Sequence, residues 1–364
     1  MPIQTLTRRE LNRATLARQM LLAREKITPV RAIEQLVGMQ AQLAKPPFIG
    51  LWTRLEKFKR EDLIRLVQIR KAVRGTMMRG TLHLMSTKDY VQLRAALQPA
   101  LTAGMQSILR DRSQDLDIDR LVAEGRKYFD EEPRTFEELR DHLQKRFPKG
   151  DERAMAYAVR MHLPLIQVPT DTEWGWPAAA DFAVAESWVG APLASDTSPH
   201  TLILRYLAAF GPATVSDAQT WSGLRALKLP FEELRPQLQT FRDERGRELF
   251  DLPKAPRPPE DKPAPVRFLP EYDNLILSHD DRTRFVAQEH RAAVFLPNLR
   301  VISTFLVDGF VAGTWKIERK KDVATLGLAP FTALPKRVRE DLADEGDRLV
   351  RFVERDAQKF VVSL

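Results

Sequence analysis

The sequence predicts an α+β fold, with tandem winged-helix (helix-turn-helix) units followed by a β-rich C-terminal region. Helical periodicity gives way three times to a short alternating, ribbon-like stretch. A stretch rich in proline and charge, Lys254 to Pro265, then separates these units from sequence of a different character. Beyond it, Asp308-Gly309 sits between two alternating runs, the strongest short-range hairpin signal. The resulting segmentation is 1–130, 131–195 and 196–253 for the three units, 254–265 for a linker and 266–364 for the β-rich region.

In the first unit, Thr7 with Glu10 has capping-box spacing and opens a helix carrying Leu11, Leu16, Met20 and Leu21. Thr28-Pro29 starts a second helix through Ile33, Leu36 and Val37. Ile49 to Leu55 and Lys59 to Arg70 continue as helix, and Val73 to Met85 alternates as strand before a helix opened at Ser86 or Thr87. In the second unit, helices over Thr135 to Phe147 and Asp151 to His162 precede a ribbon within Leu165 to Trp176. The third unit places helices over Thr201 to Phe210, Val215 to Leu224 with Ser216 as cap, and Phe231 to Leu238. Its ribbon is Thr240 to Leu252, turning at Arg245-Gly246-Arg247. In the last region, strands Arg300 to Val307, Phe310 to Ile317 and Asp322 to Leu328 lead to a final amphipathic helix over Pro335 to Phe360.

Composition narrows the function. Cysteine is absent from the 364 residues, which excludes disulfides, thiolate catalysis and cysteine-ligated metal. The six histidines (His83, His142, His162, His200, His279 and His290) form no i, i+4 pair with a neighbouring carboxylate, so no metal site and no cofactor are expected. There is no membrane-length apolar run and no signal-peptide core, which fits a cytoplasmic, nucleoid-associated protein. A net charge of +8 favours a polyanionic partner.

Within that frame, Gln40-Ala41-Gln42 stands out at the foot of an apolar helix, just before Lys45-Pro46-Pro47. Two carboxamides there fit helix-end caps as well as a site that holds a water, a sugar or a base edge. They cannot act as a strong base. Arg70-Lys71, Arg74 and Arg79 cluster around the first ribbon, where arginines usually touch phosphate. His83 alternates with Leu82 and Leu84 and so points away from their face. Trp315 and Lys316 to Lys321 form a basic, aromatic-flanked hairpin tip suited to a DNA groove. The carboxylates of Glu271, Asp273, Asp280 and Asp281 suit turn capping better than hydrolysis. Phosphate-cradling glycine loops, nucleophile elbows and dinucleotide fingerprints are all missing.

Four stretches in order resemble the AlkZ-like (AlkZ/YcaQ) winged-helix DNA glycosylases. They are Gly38 to Gln42, Met78 to Leu84, Phe268 to Asp273 and Leu306 to Trp315. The resemblance implies a barrel-like C-terminal region and a C-shaped cradle for duplex DNA. It implies a monofunctional glycosylase that excises bulky N7-alkylguanine adducts and interstrand crosslinks, in general repair or toxin self-resistance. The family's catalytic element, a glutamine, an apolar residue, then glutamine or aspartate, falls here on Gln40 and Gln42. Arg79 and His83 are expected as active-site support, and Lys45, Arg74, Trp315, Lys316, Arg319, Lys320 and Lys321 as DNA contacts. The partner is duplex DNA carrying alkylated guanine, and the protein is expected to be a monomer. The alternative is a non-enzymatic winged-helix DNA-binding protein or transcriptional regulator, which would dimerise and prefer one sequence without releasing a base.

Overall fold

The structure, a computed structural model, describes residues 3–113 and 116–364. Thr28 caps the helix Pro29–Gln35 through the Arg31 N–H, with proline in the first turn, as its sequence predicts. Val37 and Gly38, both left-handed at φ 54° and 85°, end that helical stretch. The glutamine motif was expected where a helix meets a loop, but the chain enters a short strand, Met39–Gln40. The reversal at Val37-Gly38 turns the chain so sharply that the next residues run alongside Leu82–Ser86. Helices Pro46–Arg54 and Arg60–Gln68 follow, then the strands Ala72–Thr76 and Leu82–Ser86.

The second helical group is Ile118–Glu131, Phe136–Arg146 and Glu152–His162, packed on a further helix, Gln98–Leu109, through Leu101, Met105 and Leu109. Its strands, Leu165–Gln167 and Phe182–Val184, do not form a separate ribbon. Leu165–Gln167 pairs with Ala72–Thr76, so one five-stranded antiparallel sheet spans both groups. Its strand order is Met39–Gln40, Leu82–Ser86, Ala72–Thr76, Leu165–Gln167, Phe182–Val184.

The third group contains helices His200–Phe210, Val215–Ser222 and Lys228–Leu234 and the ribbon Gln239–Asp243 with Glu248–Asp251. Thr214, reciprocated by Asp217, caps its middle helix; Ser216, expected in that role, lies inside the first turn. The chain's N-terminus belongs spatially with this group, because Thr5–Leu6 adds a parallel strand to Gln239–Asp243. Helix Arg8–Arg18, opened by the Thr7–Glu10 box, is buried over most of its circumference. Arg18 makes a two-armed pair with Asp251 at 2.7 and 2.8 Å. The proline-rich stretch is irregular but strapped to this helix. Arg9 Nε donates to the Glu260 carbonyl at 2.8 Å and Arg13 Nε to that of Lys262 at 2.6 Å.

In the C-terminal region Phe310–Lys320 pairs with Thr304–Val307 on one side and Val323–Pro330 on the other. The Asp308-Gly309 turn is where the sequence places it, and Asn12 and Arg13 of the N-terminal helix hold its carbonyls at 2.8 and 3.0 Å. Lys359–Ser363 adds in parallel, so the final helix stops at Val353 and the chain ends in a strand. Barrel closure does not occur. The five strands form an open sheet whose edges are Arg267–Leu269 and Lys359–Ser363. Helix Lys336–Val353 covers one face of it, burying Leu342, Leu349, Val350 and Val353 against Phe268, Phe305 and Leu326. No helix among the described residues is long and apolar enough to cross a membrane.

Because Arg18 and Asp251 are both buried, removing the carboxylate strands a cation in the interior. Asp251→Ala should therefore cost about 3–5 kcal/mol in urea-unfolding free energy. A loss of under about 1 kcal/mol, the range of an exposed pair, would contradict this account of the N-terminal helix.

Candidate active site

Gln40 lies directly across the strand pair from His83, and Met39 across from Leu84. A two-residue strand has little cohesion of its own. Its outer edge is closed by the Asn274 side chain, whose Oδ1 accepts from the Gln40 N–H at 3.2 Å while its Nδ2 donates to the Gly38 carbonyl at 2.5 Å. Asn274 is fixed by its neighbour. Asp273 and Arg54, both buried, form a two-armed pair at 2.8 and 2.7 Å, and Arg54 also donates to the Gln19 and Gly50 carbonyls. The sequence marks Phe268 to Asp273 as one of the family-like stretches and its carboxylates as turn caps. Asp273 does cap, accepting from the Leu275 N–H at 3.0 Å, but Asn274 is a site residue that sequence reasoning missed.

The Gln40 carboxamide has a defined orientation. Its Oε1 accepts from Arg79 Nη2 at 2.7 Å. A guanidinium has only donors, so the atom facing it is the oxygen, and Nε2 is turned away. The other arm of Arg79 donates to the Trp221 carbonyl, in the last turn of Val215–Ser222, where the helix dipole favours a cation. Arg79 holds this bridge from a left-handed backbone at φ 55°. Gly223, itself at φ 83°, lies so close that a Cβ there would come within 3.2 Å of Arg79 Cα. Burial, with a contribution from Arg282, lowers the Arg79 guanidinium to about 10, which leaves it charged at neutral pH. The exposed Gln42 behaves alike, its Oε1 accepting from the Leu82 N–H at 3.2 Å. Both carboxamides thus direct their oxygens at protein donors.

Arg74, expected on DNA, is 4% exposed. It shapes the loop instead, donating to the Ala41 carbonyl at 2.8 Å and to that of Gln42 at 3.2 Å. Trp315, also expected beside DNA, is built into the core. Its indole N–H donates to the Leu269 and Thr304 carbonyls, both at 3.0 Å, and its ring meets Phe268 edge-on. Lys45, Lys316, Lys320 and Lys321 reach the surface. Lys45 lies near Glu354 at 3.5 Å and Lys316 pairs with Glu318 at 2.5 Å. Arg319 is tied to the Lys321 and Asp356 carbonyls.

Gln40 lines a cleft of about 10 Å³ with Pro46, Pro47, Glu271 and Asn274, room for roughly one water. A larger cavity of about 610 Å³ adjoins it, bounded by Leu43, Lys45, Glu271, Arg300, Ile302 and Lys316. Glu271 stands on both. Burial raises its carboxyl above the usual range, opposed by Arg300 and Lys45. Arg300 belongs to a separate small hairpin, Phe295–Leu296 with Arg300–Val301. Asn298 and Leu299 turn it, both at φ 60°, and Leu299 is 92% exposed. Sequence periodicity merges this hairpin into one strand from Arg300 to Val307. The signal that separates it is Pro297-Asn298, a turn pair. Among the described residues no group of three or more His, Asp or Glu side chains is placed to hold a metal ion.

His83 is buried and neutral. Its Nδ1–H donates to the Thr81 carbonyl at 3.0 Å and Nε2 has no partner. Burial and the nearby Arg79 charge depress it to about 3, against the Thr81 hydrogen bond; burial takes His279 to about 3 as well. The unfolded chain, with ordinary histidines near 6.5, therefore binds more protons between these limits, and stability falls as pH drops through that window. The melting temperature should be lower at pH 5 than at pH 7.5, and His83→Gln should narrow that difference. An unchanged difference in the variant would show that His83 does not titrate this way.

The model of the "DNA glycosylase AlkZ-like" family matches residues 33–352 of the chain. A relative, the interstrand DNA cross-link repair glycosylase of Streptomyces sahachiroi, is 27% identical over 334 residues, covering 85% of this chain and 87% of the relative. The solved structure of Streptomyces sahachiroi DNA glycosylase AlkZ superposes with a TM-score of 0.78 at 22% identity, covering 99% of this chain and 100% of that one. A match over most of the length settles the family, and the solved neighbour has the same mixed helix-and-sheet fold. The chain belongs to the AlkZ-like DNA glycosylase family and is a DNA glycosylase.

Proposed function

We propose that this enzyme is a monofunctional glycosylase that hydrolyses the N-glycosidic bond of bulky N7-alkylguanine in duplex DNA, interstrand crosslinks included. The observation that carries the reading is the Gln40–Arg79 bridge, which holds an uncharged, oriented carboxamide on the residue that the resemblance implies to be catalytic. Alkylation at N7 makes the guanine cationic, so it leaves as a neutral base through an oxocarbenium-like sugar. Such a bond needs a placed water and fixed dipoles rather than strong acid catalysis. Gln40 and Gln42 supply fixed amide donors at that centre, and the selectivity follows: a neutral base, with no charge to lose, is a poor substrate.

The remaining features support duplex binding. The three helix-and-strand groups serve as winged-helix modules around a concave surface. Lys45 and Lys316 on the larger cavity, with Lys320 and Lys321 at the hairpin turn, contact phosphate. The exposed Leu299 is suited to enter a groove as an apolar wedge between base steps. A crosslinked base cannot swing fully out of the helix, so the enzyme works without complete flipping.

The test is release of an N7-alkylguanine from duplex DNA. Wild type should free the base and leave an abasic strand that breaks only on alkali treatment. The Gln40→Ala, Gln42→Ala double variant should lose about 10²-fold or more in the rate of release, the usual effect of removing preorganised donors. Undiminished release by the double variant would sink the site assignment.

A further inference from the structure

We propose that Glu271 is a further catalytic residue, the acceptor that takes the proton from the attacking water. This rests on the reading of Gln40 as the glycosylase site. The two carboxamide oxygens face Arg79 and the Leu82 N–H, so each glutamine presents its amide as a donor. A water attacking C1′ must give up a proton, and a neutral carboxamide is too weak a base to take it. Along the cleft shared with Gln40, the carboxylates are Glu271 and Asp273. Both oxygens of Asp273 are held by Arg54. Among the described residues, Glu271 has neither a hydrogen bond nor an ion pair within 4 Å.

The backbone on both sides of Glu271 is pinned. Leu269 ends a sheet strand, Pro270 has a fixed φ, and left-handed Tyr272 (φ 59°) donates its N–H to the Val301 carbonyl at 3.3 Å. Asp273 and Asn274 then make the clamp on the glutamine strand. Glu271 therefore sits two residues before the clamp that holds the Gln40 strand. The charged groups facing it are Lys45 from the loop before helix Pro46–Arg54, Arg300 from the small hairpin and Lys316 across the larger cavity. Arg300 and Lys45 favour the ionised carboxylate and oppose the upward push of its partial burial. The step balances as follows. The water oxygen bonds to C1′, the C1′–N9 bond breaks with its electron pair passing to the cationic base, which leaves neutral, and one water proton passes to the Glu271 carboxylate and then to solvent.

Single-turnover release of 7-methylguanine from duplex DNA, measured from pH 4.5 to 8 with the uncatalysed loss subtracted, tests this for wild type, Glu271→Gln, Glu271→Asp and Gln40→Ala. Wild type should slow as pH falls and Glu271 protonates, with the limb above the ordinary carboxylate range. Glu271→Gln should be slower by about 10²-fold, lack that acid limb and bind the same duplex with unchanged affinity. Glu271→Asp should be slow but keep the limb. Undiminished release by Glu271→Gln beside an inactive Gln40→Ala would overturn the role of Glu271 and leave the site reading intact. An acid limb that persists in a slow Glu271→Gln, or a loss of affinity matching the loss of rate, would also overturn it. If Gln40→Ala itself releases base normally, the reading of the site falls instead. Glu271→Gln is nearly isosteric at a partly exposed position, and an unchanged melting temperature confirms that its fold is intact.

Discussion

The buried pair between Arg54 and Asp273 is the constraint on which the site depends. Two charges taken out of water gain little net stability by meeting, yet stripping either partner leaves the other stranded at a cost of about 3–5 kcal/mol. Such a pair is a poor glue and a good register mark, because one alignment of the two segments satisfies it. Here the segments are 219 positions apart, one in the helix that follows the glutamines and the other in the C-terminal region. Asn274 converts that alignment into geometry by bonding to the backbone on both sides of Met39. The glutamine strand is thus held between Leu82–Ser86 and a side chain from the far end of the chain. A strand this short would otherwise fray.

Arginine does most of this internal work. Arg13, Arg18, Arg54, Arg74 and Arg79 each reach one or more backbone carbonyls, and their fork geometry lets one side chain join two segments. This changes what the net charge of +8 means. Arg13, Arg18, Arg54 and Arg74 are interior and carbonyl-bound, so part of the positive charge is not available at the surface. Sequence-level charge counts cannot separate the two populations. Arg74 shows why. Its neighbours in sequence look like a basic ribbon, but strand pairing puts it opposite Leu84 and under the Ala41–Gln42 loop.

Local signals were legible and pairings across the chain were not. Thr7–Glu10 and Thr135–Glu138 close the capping boxes their spacing promises, and Asp308-Gly309 turns the hairpin its flanks predict. These depend on residues within four positions. By contrast, Met39–Gln40 is a strand only because Leu82–Ser86 lies beside it, and the first two ribbons merge only because Ala72–Thr76 meets Leu165–Gln167. Trp315 looked like a groove contact because lysines follow it. Alternation along Phe310–Lys320 sends its ring inward and Lys316 outward, a period-2 argument available from sequence that the basic cluster obscured. The open C-terminal sheet follows from its last strand, which pairs in parallel with Val323–Pro330 and leaves Arg267–Leu269 as an edge.

The orientation of the glutamines narrows the chemistry further than their identity does. A carboxamide free to rotate can either accept from or donate to a water. Here Arg79 turns one oxygen inward and the Leu82 N–H turns the other. Fixed amide donors cannot promote attack by removing a proton, and beside a sugar that becomes cationic they offer no counter-charge. What they can do is donate to the oxygen of a water and so orient it. The counter-charge and the proton acceptor then have to come from a carboxylate. Glu271 is held to the same frame by the Asp273–Asn274 clamp that aligns the glutamine strand. In the proposed mechanism the motif and the carboxylate act as one site, separated in sequence and joined by the Arg54 pair. Losing that pair should therefore disable chemistry through misplacement even where every reacting group is still present.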